Sequence, residues 1–218
     1  MQIARQPIIP QGAAFFHADG EKHRTRRFVF LLCPSFTLLA FSSAIEPLRI
    51  ANQLSQRALY DWRTLSQDGG AVTSSCGVSV NVDGACDAVG REDILMVCAG
   101  NVPTAAESGP VVGAVKRHFR HGGRVGGLCT GSIALARAGI LGARRFTLHW
   151  ENQPAFIEAF PDLVPSENKF EIDDRLMTCG GGAAATDMMI DMIARDHGEA
   201  FATMVSDMCL RRVAIGRD

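Results

Sequence analysis

Residues 28–33 (FVFLLC) and 93–98 (DILMVC) are strand-length runs without an alternating polar face. A half-buried strand alternates, whereas runs like these have to be covered on both sides. Segments with helical spacing lie between and after them. In residues 36–54, Leu38, Phe41, Ile45, Leu48 and Ala51 recur near a helical period, and further helices are expected over 111–119, 132–138, 151–160, 183–197 and 199–213. Strands alternating with helices specify an α/β chain, with a mostly parallel sheet and helices on both faces. Shorter strands are expected over 60–65, 124–128 and 146–148. A hairpin is expected over 71–82, at the sheet edge around Cys76-Gly77, and another over 169–178 around Asp173-Asp174. Pro47, inside the first helix, predicts a kink or a local restart.

Composition narrows the function classes. The 218 residues suffice for one large domain or two small ones, and 47% apolar with 21% charged residues is ordinary for a chain with a real core. A net charge of −1 gives no sign of a dedicated nucleic-acid surface. The seven cysteines are odd in number, scattered, and without CxxC spacing. Reduced, cytoplasmic thiols are expected, with no disulfide framework, metal or cofactor. No apolar run reaches membrane-spanning length, so no membrane partner is expected. Residues 1–25, broken by Pro7, Pro10 and Gly12, read as a loose tail rather than a secretory signal.

In a parallel sheet the site lies beyond the carboxyl ends of the strands. Residues 122–141 (GGRVGGLCTGSIALARAGIL) read as a buried strand, a tight turn and a helix that stops at Gly139. The turn presents Cys129, followed by Thr130 and Gly131. A thiol near a helix N-terminus is favoured as thiolate, so Cys129 is expected to be the most reactive cysteine. Two other strand ends bring Ala99-Gly100-Asn101 and His149-Trp150. A thiol, a base at His149 and two free backbone N–H groups would form a nucleophile or anion site at one edge. Taken singly, each residue also fits a turn or a packing role; their convergence is what points to a pocket.

LCTGSIALARAGIL resembles the cysteine elbow of the ThiJ/PfpI (class I glutamine-amidotransferase-like) superfamily, VCAGN its oxyanion-type glycine turn, and FTLHW its histidine strand. FSSAIEPLRIANQLSQRALYDWRTLSQDG and CGGGAAATDMMIDMIARDHGEAFATMVSDM are similar, more specifically, to the N-terminal sensory domain of GlxA-like, AraC-family transcriptional regulators. That group includes carnitine, glycine-betaine and arginine responders. The resemblance runs from about residue 27 to 208 and implies a three-layer flavodoxin-like sandwich over residues 26–218.

What the resemblance implies is an effector-sensing domain. Its ligand would be a small nitrogenous metabolite, an amine or quaternary-ammonium carboxylate, held by Ala99, Gly100, Asn101, Cys129, Thr130, His149 and Trp150. The regulators commonly act as dimers. A Met-rich face (Met188, Met189, Met192, Met204, Met208) is expected to leave part of itself for a homodimer. DNA contact would belong to the helix-turn-helix domain that follows this region in the regulators, and this chain, closing on CLRRVAIGRD, is expected to lack it. Enzymes of the superfamily usually place a carboxylate facing the cysteine, in the helix after the first strand. Compared without gaps, that position reads Ala40, with Glu46 and Glu151 as substitutes outside the motif, so turnover is expected to be absent or very weak. The alternative is a small cysteine hydrolase, hydratase or glyoxalase-type enzyme with Cys129 as nucleophile and His149 as base. A third reading is a redox or carbonyl-stress protein acting through Cys129.

Overall fold

The alternation of apolar runs and helical segments resolves into one central sheet. The structure is a computed structural model and describes residues 6–16 and 24–210. In chain order the elements are β1 (Arg26–Leu32), α1 (Leu38–Ser55), β2 (Tyr60–Ser66), β3 (Val72–Thr73), β4 (Ser79–Val80), β5 (Gly84–Ala85), β6 (Ile94–Cys98), α2 (Gly109–Arg120), β7 (Arg124–Leu128), α3 (Ser132–Arg137), α4 (Gln153–Ala159), β8 (Phe170–Asp173), β9 (Leu176–Cys179), α5 (Ala184–His197) and α6 (Glu199–Met208). The sheet runs β5-β2-β1-β6-β7-β9-β8, parallel throughout except for the β8–β9 pair.

β1 shows why its sequence does not alternate. Phe28, Phe30 and Leu32 face α1, α5 and α6, while Val29 and Leu31 face the layer of α2 and α3, and none of the five is more than 1% exposed. Burying each such side chain contributes about 1.5–3 kcal/mol, so both layers are required. This is the three-layer α/β sandwich expected from the sequence.

α1 runs through Pro47 without restarting. A proline in a helix leaves the carbonyl four residues back without its donor. Here that carbonyl, Ser43 O, accepts from Thr186 Oγ1 of α5 at 3.1 Å. Asn52 of the same helix is fully buried, and its side chain closes a two-way bond with the backbone of Tyr60, donating to its carbonyl at 2.7 Å and accepting from its N–H at 2.9 Å. A buried amide satisfied in this way fixes β2 against α1.

Several expectations need correction. The 72–80 hairpin is not at the edge of the main sheet. It forms a two-stranded sheet of its own, tied to the loop after β1 by Ser35 N to Thr73 O and Ser75 N to Phe36 O, both 2.9 Å. The edge next to β2 is instead β5, two residues without an apolar pattern.

Residues 146–148 are not a strand. Side chains replace the ladder: Ser132 Oγ donates to Thr147 O at 2.7 Å, and Thr147 N donates to Thr178 Oγ1 at 2.9 Å. Part of the expected loose tail, residues 6–16, lies along α1, with Asn52 Nδ2 donating to Ile8 O at 3.0 Å and Phe16 N to Leu54 O at 2.7 Å. The rest of that tail, and residues 211–213 of the last expected helix, lie outside the described residues.

The Met-rich face is mostly consumed by the core. Met188, Met189 and Met192 are buried and Met204 packs against them, which leaves Met208, 39% exposed, as its free end.

Candidate functional site at the carboxyl edge of the sheet

β6 and β7 end side by side, with Cys98 in register with Leu128, and after β7 the chain turns sharply at the next residue. Cys129 takes φ +59°, a conformation uncommon for any residue but glycine. The turn Cys129–Gly131 then leads directly into α3, which has only six residues. Such a conformation costs on the order of 1–3 kcal/mol and persists where the surroundings hold it. The surroundings here are close. Gly181, at φ +92°, passes so near that a Cβ there would lie 2.8 Å from Cys129 Cβ. Only glycine fits that place, which explains the middle glycine of the three that follow β9.

The expected site residues do converge at this edge, with different degrees of access. His149 N donates to Cys129 O at 3.3 Å, which sets the histidine segment beside the elbow. Thr130 is fully buried, and its hydroxyl donates to Gly100 O at 2.9 Å. Gly100 is itself buried beneath the loop after β1, where a Cβ would lie 2.4 Å from Ser35 O. Ala99 is buried as well. Asn101 is exposed, His149 is partly exposed, and Trp150 stands 75% exposed. Its ring is tilted 30° to the imidazole, with centroids 5.7 Å apart.

The electrostatics of the thiol run against the expectation of an activated thiolate. Burial pushes Cys129 above the usual thiol range; a hydrogen bond from Thr37 and one at the Thr130 backbone pull the other way, and the Glu151 carboxylate pushes it further up. A three-residue turn and a short helix supply too little positive potential to outweigh desolvation. The side chain that reaches the sulfur is Thr37 Oγ1, at 3.6 Å, rather than the imidazole. His149 Nδ1 is buried without a hydrogen-bond partner, 3.8 Å from Glu151 Oε2. Ala40, the expected acid position, is packed in the core with Phe41 and Ala44. The side chain facing the cysteine from this part of the chain is therefore a hydroxyl, which bonds a thiol but is a poor proton acceptor at neutral pH.

The thiol with the opposite environment is Cys76, exposed at the tip of the β3–β4 hairpin and held below the usual range by its bond with Ser74 Oγ at 3.3 Å and by the Val78 backbone. Sequence reasoning missed Cys76, Thr37 and Gly181. Only Gly181 carried a signal, in the three consecutive glycines. Among the described residues, no group of three or more His, Cys, Asp or Glu is arranged to hold a metal ion. Among the described residues, no helix is long and apolar enough to cross a membrane.

Comparisons with known proteins agree with this architecture. The model of the DJ-1/PfpI family matches residues 27–195. The HTH-type transcriptional regulator CdhR of Pseudomonas aeruginosa is 46% identical over 180 residues, covering 83% of this chain and 53% of that protein. The HTH-type transcriptional regulator GlxA of Rhizobium meliloti is 43% identical over 197 residues, 88% of this chain and 60% of that protein. The chain thus spans about half the length of the curated relatives it matches. A crystal structure of an AraC family transcriptional regulator from Pseudomonas putida superposes with a TM-score of 0.77 at 25% identity, over 84% of this chain and 99% of that one. With the sheet order, the cysteine elbow and a family match over most of its length, the chain belongs to the DJ-1/PfpI family, and its relatives include helix-turn-helix transcriptional regulators.

Proposed function

We propose that this chain is the effector-sensing domain of an AraC-family, GlxA-like transcriptional regulator, and that the carboxyl edge of its sheet binds a small nitrogenous metabolite. The observation that carries the reading is the 46% identity to a helix-turn-helix regulator over 83% of the chain. The site supports binding over turnover, because its thiol is pushed toward the neutral form and is hydrogen-bonded by the Thr37 hydroxyl rather than by a base. The exposed Trp150 ring, beside the Glu151 carboxylate, suits a cationic amine or quaternary-ammonium head group. The exposed Asn101 offers a polar contact to the other end of such a ligand.

In this reading Ala99, Gly100, Cys129 and Thr130 form the floor of the pocket. DNA contact belongs to the part of the relatives that this chain does not span, and the domain works in the cytoplasm as a homodimer. With most of the methionine face buried and Met208 left exposed, the dimer needs surface beyond that face.

A thermal-shift panel of glycine betaine, carnitine and arginine tests the ligand class. A true effector at a hundredfold excess over its Kd stabilises the fold by about 2.7 kcal/mol. That shift should shrink in Trp150→Ala. No shift across the panel, or an equal shift in the variant, overturns the assignment. Conversion of a glyoxal or isonitrile at about 1 per second or faster, abolished by Cys129→Ser, would establish the enzyme instead.

A further inference from the structure

A cavity of about 670 Å³ opens beside the C-terminal end of α2, away from the cysteine elbow. Arg117, Arg120 and His121 wall it from α2 and its end, and Cys86, Asp87 and Arg91 from the segment between β5 and β6. Asp87 is the one carboxylate among its described lining residues. Arg26, Arg27, Arg137 and Arg195 each hold a carboxylate partner. Among the described residues, Arg91, Arg117 and Arg120 hold none.

Cations in the last turn of a helix are ordinarily drawn by its terminal carbonyls. At α2 the carbonyls of Arg117, His118 and Phe119 are taken. Arg117 O accepts from His121 N at 3.2 Å and from His121 Nδ1 at 2.8 Å. His118 O accepts from Gly123 N at 3.0 Å. Phe119 O accepts from Gly122 N at 3.1 Å and also from Arg175 Nη2. The helix end is therefore satisfied without Arg117 or Arg120, and Arg91 comes from a different segment altogether. Guanidiniums that share one concave surface repel one another, and an anion between them turns that repulsion into attraction.

We propose that this cavity is a second binding site, for a phosphate-bearing anion. The planar fork of arginine matches phosphate oxygens two at a time, and the cavity is large enough for a ligand of nucleotide size. The site shares no lining residue with the effector edge and does not depend on what binds there.

Isothermal titration of the 218-residue chain with inorganic pyrophosphate at physiological salt tests the proposal. Saturable binding with a Kd below about 1 mM is expected. The double variant Arg91→Gln/Arg117→Gln should weaken it at least tenfold, and Arg57→Gln, an exposed arginine elsewhere, should leave it unchanged. Arg91→Lys/Arg117→Lys, which keeps the charge and loses the fork, should fall between the two. Matching melting curves show that the variants fold. Duplex DNA of arbitrary sequence is then added as a competitor. Displacement of pyrophosphate assigns the phosphate to a nucleic-acid backbone, and no displacement assigns it to a free phosphorylated metabolite. Absence of saturable binding, or equal affinity in the Arg91→Gln/Arg117→Gln variant, overturns the proposal.

Discussion

The elbow at Cys129 and the hairpin tip at Cys76 present a thiol in opposite ways. Cys129 sits in a held, left-handed backbone conformation at the carboxyl edge of the sheet, covered by Gly181 and the loop after β1. Cys76 sits in open solvent on a two-stranded ribbon. The elbow has the backbone associated with a nucleophile, yet desolvation raises its thiol, and the hairpin thiol is lowered by a single hydroxyl contact and the backbone. Backbone geometry alone does not activate a cysteine; the balance of burial against hydrogen bonds does.

The largest effect that would sharpen this contrast is on stability. Gly181→Ala places a methyl 2.8 Å from Cys129 Cβ at φ +92°. It should cost about 3 kcal/mol, the sum of left-handed strain and overpacking. Gly77→Ala, at φ +85° in the hairpin, meets nothing within 4 Å and should cost only about 1 kcal/mol. Denaturant titration of both variants checks the pair, and equal costs would show that the elbow is not tightly held.

Chemical reactivity comes next. With limiting iodoacetamide at neutral pH, Cys76 should be labelled faster than Cys129, because exposure and its hydrogen bonds favour its thiolate while burial disfavours that of Cys129. The sign of each shift sets the pH profile. The Cys76 rate should rise with pH below the usual thiol range, and the Cys129 rate only above it. Peptide mapping that finds Cys129 labelled first would reverse the comparison and restore the activated elbow.

The smallest expected effect separates the two hydroxyls. Ser74→Ala should slow Cys76 labelling about two- to threefold, by removing the contact that favours its thiolate. Thr37→Val should slow the already slow Cys129 by a similar factor, through the 3.6 Å bond to its sulfur. An unchanged Cys129 rate in Thr37→Val would mean that burial alone sets that thiol.

Local sequence made much of this legible. The strand, turn and helix around Cys129 fall at residues 124–137 as expected, because a buried run, a glycine-rich turn and a helical segment each carry their own local signal. The hairpin over 170–179 was legible for the same reason. Residues 146–148 were not, since Phe-Thr-Leu, a β-branched residue flanked by apolar ones, reads as a strand and only distant hydroxyls, Ser132 and Thr178, show that its backbone is satisfied without a ladder. The site was half legible. Cys129, His149 and Trp150 stand at the predicted edge, whereas Thr37 reaches the thiol from 92 positions away with no pattern to announce it.

The sequence by itself determined the layered α/β architecture, because strands apolar on both faces have no other stable environment. It also determined which turn carries the cysteine. Tertiary structure alone decided the ionisation of that cysteine, the docking of residues 6–16 along α1, the burial of the methionine face and the gathering of Arg91 with Arg117 and Arg120. Each of these depends on segments that meet only after folding, and desolvation and charge act through space rather than along the chain.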